Sequence, residues 1–353
     1  MNYTMESLME LAVQRGATDL HINPGEAPTL RLDTKLRPLE GMARLTSEDA
    51  WSLVRAITTD AQQATLQAQG SVDFAYHIEG KSRFRVNAFR VRNAYALSLR
   101  LIPEKILKLD SIGLPSNIEF LLQQPRGLIL VTGPTGAGKS TTLAAMIDWF
   151  NCHREGHIVT LEDPIEYAFH HGRCLISQRE IGNDTPNFKR ALKDVLRQNP
   201  DIILIGEMRD LETIEAAVTA AETGHLVLAT LHTTGAARTV DRIIDVFPAE
   251  SKNYIRTQLA SNLVAVLSQV LCPKVPSGLV AAFEIMVNTT GIASLIRENK
   301  TFRIASEIQT GVQYGMITLD NHLFSLYSQK KITKDIALRV ANEPAELQTR
   351  LAK

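Results

Sequence analysis

The sequence has no net charge, because 38 Lys and Arg residues are balanced by 38 Asp and Glu residues. Aromatic residues are also scarce, at 6% of the 353 residues. A neutral chain exerts no general attraction on nucleic acid, and few aromatic rings leave few platforms on which bases could stack. We therefore expect no nucleic-acid partner. The remaining composition, 44% hydrophobic and 22% charged, is that of an ordinary globular protein.

Cysteines are scarce and long apolar runs are absent. Cys152, Cys174 and Cys272 are far apart and form no C-x-x-C pair, which predicts buried, reduced thiols. No apolar run approaches the roughly eighteen residues of a membrane span, and acidic residues stand where a signal peptide would carry basic ones. These absences predict a cytoplasmic protein with no membrane span of its own.

One strong motif lies near the middle of the chain. Residues 128–132 are apolar or β-branched, as in a buried parallel strand, and residues 141–150 continue as a helix. Between them, Gly133–Ser140 fits the P-loop pattern G-x-x-x-x-G-K-[ST]. Backbone N–H groups of such a loop cradle phosphates, Lys139 would reach the β- and γ-phosphates, and the Ser140 hydroxyl would bind Mg²⁺. The predicted nucleotide-binding residues are Gly133, Pro134, Thr135, Gly136, Ala137, Gly138, Lys139, Ser140 and Thr141.

The length suggests two domains, and the pattern of apolar residues along the sequence changes between them. We expect a small α+β domain in residues 1–105, a linker in 106–125, and an α/β domain with C-terminal helices in 126–353. In the first domain, Met5, Leu8, Met9 and Ala12 share a helical face, and Thr46 caps a second helix that ends at Ile57. Its predicted strands are 19–23, 29–33, 71–78, 82–92 and 95–102, with a turn at Glu79-Gly80 and a bulge where alternation slips near Phe89.

The second domain alternates continuous apolar strands with helices, as is typical of a parallel sheet. The predicted strands are 128–132, 157–161, 202–205, 226–231 and 279–286. The predicted helices are 188–198 and 211–223, followed by two short helices that Thr318 and Thr333 cap.

An acidic residue follows one of these strands. The segment 201–210, DIILIGEMRD, places Glu207 just past the end of an apolar strand. Because α/β sheets hold their ligands at the carboxyl ends of the strands, Glu207 can hold the water shell of Mg²⁺ or polarise the attacking water. The motif TLEDPIE adds Glu162, Asp163 and Glu166 at another strand end. In isolation it would be a solvated acidic turn, but beside a nucleotide Glu166 and Glu162 are candidates for contact with water, and Asp163 for the metal.

Two histidines flank the strand in GHLVLATLHTT. A single histidine is more often a structural residue than a catalytic one. His232 closes the strand, so it could point toward the γ-phosphate as a sensor. His225 begins the strand and is the weaker candidate for nucleotide contact.

The motifs GPTGAGKSTT, TLEDPIE, DIILIGEMRD and GHLVLATLHTT together resemble the secretion ATPase superfamily of type IV pili and type II secretion. The segments RFRVNAF, DVFPAE and GMITLDNHL extend this resemblance over nearly the whole chain and favour the retraction ATPases of type IV pili. The resemblance implies a RecA-like P-loop ATPase domain preceded by a smaller PAS-like α+β domain. It also implies a homohexameric ring that uses ATP and Mg²⁺ and acts at an inner-membrane pilus platform protein.

Several alternatives remain open beside the retraction motor. Extension and secretion ATPases usually carry a further N-terminal domain and often a zinc site with paired C-x-x-C motifs, and here Cys272 stands alone. Residues 291–298, GIASLIRE, keep only part of a segment found in retraction ATPases, so an accessory paralogue is a second possibility. A nucleic-acid translocase has little support from the composition. The intact Lys139, Ser140 and Glu207 argue against a regulator without turnover.

Four arginines lie in strands of the first domain whose apolar residues face the core. An outward-facing charged row is common in antiparallel sheets and needs no function. Alternatively, one or two of the guanidinium groups reach the γ-phosphate of a nucleotide bound by the adjacent subunit. These candidate arginines are Arg83, Arg85, Arg90 and Arg100.

Overall fold

The computed structural model describes residues 3–32, 35–78, 82–102, 106–115 and 118–352. The chain divides into two compact units. The N-terminal unit comprises Met1–Lys105 with Glu166–Ala168, and the C-terminal unit comprises Ile106–Ile165 with Phe169–Lys353.

The N-terminal unit is built on an antiparallel sheet of six strands, and its helices are α1 (Met5–Gln14), α2 (Ser47–Ile57) and α3 (Asp60–Gln69). The strands are β1 (Asp19–Ile22), β2 (Thr29–Leu32), β3 (Lys35–Pro38), β4 (Ser71–Ile78), β5 (Ser82–Val91) and β6 (Ala94–Ile102). They are ordered β3-β2-β1-β6-β5-β4. The predicted end of the second strand at Asp33 and the turn at Glu79-Gly80 lie outside the described residues.

Local sequence explains the helices of this unit. The Thr46 hydroxyl accepts a hydrogen bond from the Asp49 N–H, and the Asp49 carboxylate accepts one from the Thr46 N–H, which closes a capping box at the start of α2. In α1, Met5, Leu8, Met9 and Ala12 are all buried, which confirms the predicted apolar face. Helix α3 and strand β3 were not predicted, because α3 buries only Leu66 and all residues of β3 are exposed.

The bulge predicted in β5 is wrong. β5 pairs with both β4 and β6 in an unbroken register through Phe89. The hydrophobic alternation slips because Phe89 and Val91 are half-buried on the opposite face of the sheet from the core side of Phe84. Arg90 lies on the core side but at the strand end, where its guanidinium donates to the Gln67 carbonyl and stacks on the Tyr95 ring. The change in hydrophobic alternation therefore marks the edge of the core, and no extra residue is inserted into β5.

The C-terminal unit contains a seven-stranded sheet with helices on both faces. Its strands are β7 (Gly127–Thr132), β8 (Gly156–Glu162), β9 (Cys174–Glu180), β10 (Ile202–Ile205), β11 (Leu226–Leu231), β12 (Leu263–Pro273) and β13 (Leu279–Val287). The order is β13-β12-β7-β11-β10-β8-β9, and every neighbouring pair is parallel except β12 with β13.

The helices of this unit lie before, between and after its strands along the chain. They are α4 (Glu119–Leu122), α5 (Lys139–His153), α6 (Phe188–Val195), α7 (Leu211–Glu222), α8 (Ala236–Asp245), α9 (Lys252–Asn262), α10 (Thr290–Arg297), α11 (Ile304–Thr310), α12 (Leu319–Ser328), α13 (Lys334–Val340) and α14 (Pro344–Leu351). Thr318 and Thr333 cap α12 and α13 as predicted. Among the described residues, no helix has the length and apolarity that crossing a membrane requires.

Two apolar layers sandwich the central strands. Leu128 and Leu130 of β7 face one layer together with α7 and α8, whereas Ile129 and Val131 face the other together with α5. Every residue of β7 is buried, as expected for a strand covered on both faces. The stretch 106–125, expected to be a linker, packs into the second layer through Leu109, Leu114, Ile118, Leu121 and Leu122.

Two strands of this sheet were not predicted. In β9 the sequence CLISQRE mixes polar and apolar residues, as befits a sheet edge. Strand β12 begins directly after α9, so no turn residue separates the two elements in the sequence. Of the cysteines, Cys174 and Cys272 are buried thiols as predicted, whereas Cys152 is exposed near the end of α5.

Candidate nucleotide-binding site

Four loops of the C-terminal unit meet at one edge of the sheet. The P-loop follows β7, and the next strands in the sheet are β11, β10 and β8. These four strands are parallel and in register, so their carboxyl ends lie side by side. Within two residues of the ends of β11, β10 and β8 come His232, Glu207 and Asp163. The sheet therefore brings the P-loop, the histidine and two of the predicted carboxylates to the edge where α/β proteins bind ligands.

The P-loop backbone requires glycine, as the two ends of the loop show. Gly133 has φ +145°, and a Cβ on it would lie 2.2 Å from the main-chain oxygen of Gln269 on β12. Gly138 has φ +85° and stands immediately before α5, whose first residue is Lys139. Both positions adopt a backbone conformation that residues with a side chain rarely occupy. The strand–loop–helix order predicted from the motif is thus present.

The Lys139 side chain is buried beneath the loop. Its Nζ donates hydrogen bonds to the carbonyl oxygens of Gly133, at 2.9 Å, and Pro134, at 3.2 Å. The ammonium group is therefore held at the centre of the P-loop, and two carbonyl oxygens of the loop are bonded to it. Ser140 and Thr141 follow in the first turn of α5, and both are half-buried.

Glu207 is held by two side chains. Its Oε2 atom lies 2.7 Å from a guanidinium nitrogen of Arg209, and its Oε1 atom lies 3.1 Å from Nε2 of His232. The Glu207 side chain is 21% exposed. Burial raises the pKa of Glu207, but the bonds from Arg209 and His232 outweigh this effect and lower the pKa below the ordinary value of 4.5. A carboxylate of low pKa stays ionised, which suits it to orient water or a metal's water shell rather than to remove a proton.

His232 joins Glu207 to the P-loop. Its Nδ1 atom lies 3.3 Å from the Thr135 hydroxyl, while Nε2 faces the Glu207 carboxylate. Because an ionised carboxylate can only accept, Nε2 must carry the proton, and in a neutral ring Nδ1 then accepts from Thr135. A chain of contacts thus runs from Thr135 through His232 and Glu207 to Arg209. A change at the phosphate-binding loop can reach the carboxylate through this single imidazole.

The two carboxylates at the end of β8 differ in their surroundings. Glu162 is buried, and its Oε1 accepts hydrogen bonds from the Thr160 hydroxyl at 2.6 Å and from the Gln178 amide at 3.2 Å. These contacts tie Glu162 to the sheet. Asp163 is exposed, and its charge adds to the larger effect of Glu207 in raising the pKa of Arg209. Asp163 therefore lies within electrostatic reach of the Glu207–Arg209 pair.

Two further predicted residues have different positions in the fold. Glu166 belongs to the N-terminal unit, so its role toward the attacking water stays a prediction. His225 precedes β11, where its carbonyl accepts from the N–H of Gly127 at the amino end of β7. Its Nδ1 atom lies 3.0 Å from the Ala220 carbonyl. His225 is thus at the opposite edge of the sheet from the P-loop of the same chain, one strand length away from it.

The candidate arginines of the N-terminal unit have different environments. Arg100 binds the buried Asp19 carboxylate, with Nε 3.0 Å from Oδ1. Arg90 is bonded to the Gln67 carbonyl, as described above. Arg83 is half-buried in β5, whereas Arg85 is exposed and pairs across the strands with Arg100. Arg85 therefore presents its charge to solvent, at the position opposite Arg100 in the sheet.

The comparison with known proteins places this site in a family. The family model of the type II/IV secretion system protein matches residues 2–335. The chain belongs to the type II/IV secretion system protein family. This confirms the membership predicted from the sequence motifs.

Individual members of the family are similar over nearly their whole length. The chain is 45% identical over 337 residues to the type IV pilus retraction ATPase PilT of Pseudomonas aeruginosa, which covers 96% of this chain and 98% of PilT. It is 39% identical over 343 residues to the type IV pilus ATPase PilU of the same organism, with coverage of 97% and 90%. A crystal structure of the pilus retraction motor PilT with bound ADP superposes with a TM-score of 0.93 at 41% identity, and covers 99% of this chain and 100% of that chain.

These similarities confirm the predicted fold, an α/β P-loop ATPase domain preceded by a smaller α+β domain. They also show that this member of the type II/IV secretion system protein family is an ATPase of the PilT kind. The PAS-like character of the N-terminal unit stays a prediction.

Sequence reasoning missed two residues that shape the site of this secretion-family ATPase. Arg209 lies two positions beyond Glu207 in GEMRD, so its proximity could have been inferred from the spacing. Gln269 contacts the P-loop from β12, and its amide nitrogen lies 2.6 Å from the Ala137 carbonyl oxygen. No motif marks Gln269, because 132 residues separate the two partners.

Proposed function

We propose that this chain is the ATP-driven motor of type IV pilus retraction, which removes pilin subunits from the base of the pilus during twitching motility. The observation that carries the proposal is the network of Thr135, His232, Glu207 and Arg209 at the P-loop edge of the sheet. It sets an ionised carboxylate beside the phosphate-binding loop, as ATP hydrolysis requires. The similarity to PilT over the whole chain connects that chemistry to retraction.

The reaction is transfer of the γ-phosphoryl group of ATP to water. Lys139 neutralises charge on the β- and γ-phosphates, and the loop N–H groups of the P-loop hold the phosphate oxygens. Glu207 orients the attacking water, and its lowered pKa keeps it charged throughout the physiological pH range. His232 senses the γ-phosphate through Thr135 and adjusts the position of Glu207.

The residues of this edge fit a Mg²⁺ ion. Mg²⁺ in such sites is held by one or two protein oxygens and by substrate phosphates, and it keeps several waters. The Ser140 hydroxyl, Glu207 and Asp163 offer oxygen donors of this kind, and no cluster of three or more metal-ligating side chains occurs among the described residues. When bound with ATP, Mg²⁺ would neutralise charge that develops on the phosphates.

The motor is proposed to work as a homohexamer in the cytoplasm, at an inner-membrane platform protein of the pilus. Neutral net charge favours a protein partner over nucleic acid. A guanidinium from the N-terminal sheet of one subunit would complete the nucleotide site of the next, and the exposed Arg85 is the best placed to do so. Closure of that site would convert ATP hydrolysis into displacement of the units.

An accessory paralogue of the PilU kind is the second candidate, because the chain is also similar to PilU. Its identity to PilU is 39%, somewhat lower than its 45% identity to PilT. Deletion of the gene in its host separates the possibilities. Retained or increased surface pili with loss of twitching support the retraction motor. Loss of pili indicates an extension ATPase, whereas normal twitching indicates a dispensable paralogue.

A further inference from the structure

Gln269 is a buried polar residue at the level of the P-loop. In the sheet, Ser268 of β12 pairs with Thr132, the last residue of β7, so Gln269 lies beside the point where the P-loop begins. Gln269 is only 3% exposed. An amide buried to this extent must form hydrogen bonds, because burial without them is costly. Both ends of the Gln269 amide are indeed bonded within this part of the fold.

The amide connects the P-loop to the helix that follows it. Its Nε2 donates to the Ala137 carbonyl at 2.6 Å, and its Oε1 accepts from the Thr142 hydroxyl at 2.8 Å. A carbonyl oxygen can only accept, so the nitrogen must face Ala137, and this fixes the orientation of the amide. The main-chain oxygen of Gln269 also lies so close to Gly133 that a Cβ on Gly133 would clash with it. Gln269 thus touches the beginning of the loop, its end and the first turn of α5.

The bond to Ala137 determines where the next N–H points. The peptide between Ala137 and Gly138 is trans, since the cis bonds of the described chain lie elsewhere. In a planar trans peptide the N–H points opposite to the carbonyl. With the Ala137 carbonyl held toward β12, the Gly138 N–H is directed away from β12. In a P-loop, such N–H groups bind the phosphate oxygens.

We propose that Gln269 is a positioning residue for nucleotide binding, which turns the Gly138 N–H toward the phosphates by holding the Ala137 carbonyl. The proposal rests on the proposed function only in requiring a nucleotide at the P-loop. Gln269 touches no substrate atom itself. It acts through a single peptide plane, and its second bond, to Thr142, anchors the amide without pointing at the phosphates.

The two bonds can be separated by substitution. Gln269→Met keeps the length and removes both bonds, whereas Thr142→Val removes only the anchor. Loss of a buried hydrogen bond of this kind corresponds to about a tenfold to hundredfold change in an equilibrium constant. We therefore expect Gln269→Met to weaken ADP binding by about tenfold or more, and Thr142→Val by less than about threefold. Gln269→Met should lower the melting temperature more than Thr142→Val, since it leaves the Ala137 carbonyl and the Thr142 hydroxyl without this partner, whereas Thr142→Val leaves only Oε1 of Gln269 unpaired.

The measurement is isothermal titration of the purified full chain with ADP, together with thermal melting. Gln329→Met is the matched control, because Gln329 is exposed at the end of α12, and its ADP affinity should equal that of the wild type. If Gln269→Met does not fold, Gln269→Glu replaces it. That variant retains the Thr142 bond but turns a carboxylate toward the Ala137 carbonyl, so it should weaken ADP binding at least as much.

Wild-type ADP affinity in the folded Gln269 variants would overturn the proposal. Losses of ADP affinity in Gln269→Met and Thr142→Val that are proportional to their losses of melting temperature would overturn it as well, because a merely structural role predicts that pattern. ADP binding requires no turnover. A wild-type protein that binds ADP but hydrolyses no ATP would therefore contradict the proposed function, while the comparison at Gln269 stays decisive.

Discussion

Glu207→Gln removes one negative charge from the site with almost no change of shape. The glutamine oxygen can still accept from Arg209, which only donates, so the new NH₂ group must face Nε2 of His232. His232 then has to accept at Nε2 and donate from Nδ1 to the Thr135 hydroxyl. The chain of hydrogen bonds is preserved by a change of tautomer, and only its charge is lost.

The magnitude follows from that difference. Removal of one preorganised electrostatic contact to a transition state typically costs a factor of about 10²–10³ in kcat, or about 2.7–4 kcal/mol. Since the network persists, ADP affinity should change by less than about threefold, a difference below 1 kcal/mol. Turnover should thus fall by at least about a hundredfold while nucleotide binding is retained.

Steady-state phosphate release and ADP titration of the same preparation test this prediction. Glu212→Gln is the matched control, because Glu212 on α7 forms an exposed ion pair with Lys189 on α6 and lies outside the site. Exposed pairs contribute little, so this variant should retain wild-type turnover. Turnover of Glu207→Gln within about threefold of the wild type would refute the role of its charge, and would move the water-orienting role to Glu166 or Glu162.

Three further predictions concern charge at the site. Lys139→Ala should abolish ATP hydrolysis, since no other described cation lies inside the loop; near-normal phosphate release would contradict this. An Arg83→Ala/Arg85→Ala protein and the Lys139→Ala protein should each be nearly inactive, yet regain activity when their subunits exchange in mixed rings; no recovery in demonstrated mixed rings would count against a role in trans for this pair and point to Arg90 and Arg100. The pKa of Glu207 is lowered on folding, so the ionised carboxylate stabilises the fold. This stabilisation is complete above about pH 5 and is lost as the pH falls through the pKa of Glu207 in the folded protein. The melting temperatures of wild type and Glu207→Gln should therefore converge in acid.

The parts of the fold that could be predicted carry local signals. The strands 202–205 and 226–231 were predicted with their observed bounds, because each is a short apolar run between polar turns. Thr318 and Thr333 identify the starts of two helices through side chains that cap them. Strand β12 lacks such boundaries, since it continues directly from α9. The order of the strands depends on pairings between distant segments, so it was not predicted.

Some features of the candidate site could likewise be predicted from local sequence, and others could not. Lys139, Glu207 and His232 could be placed at one edge of a sheet because each follows an apolar strand in the sequence. Their mutual contacts could not be predicted, since they depend on β7, β11 and β10 being neighbours. Gln269 was missed for this reason. The roles of all these residues stay predictions until the variants are measured.

The most direct test of the central claim is to watch single pili on cells in which the gene has been deleted. Labelled pili should extend normally but not retract, and the wild-type gene should restore retraction. A gene carrying Lys139→Ala should leave pili extended, because the motor cannot use ATP. Retraction at wild-type frequency in the deletion strain, or its rescue by Lys139→Ala, would contradict an ATP-driven retraction motor.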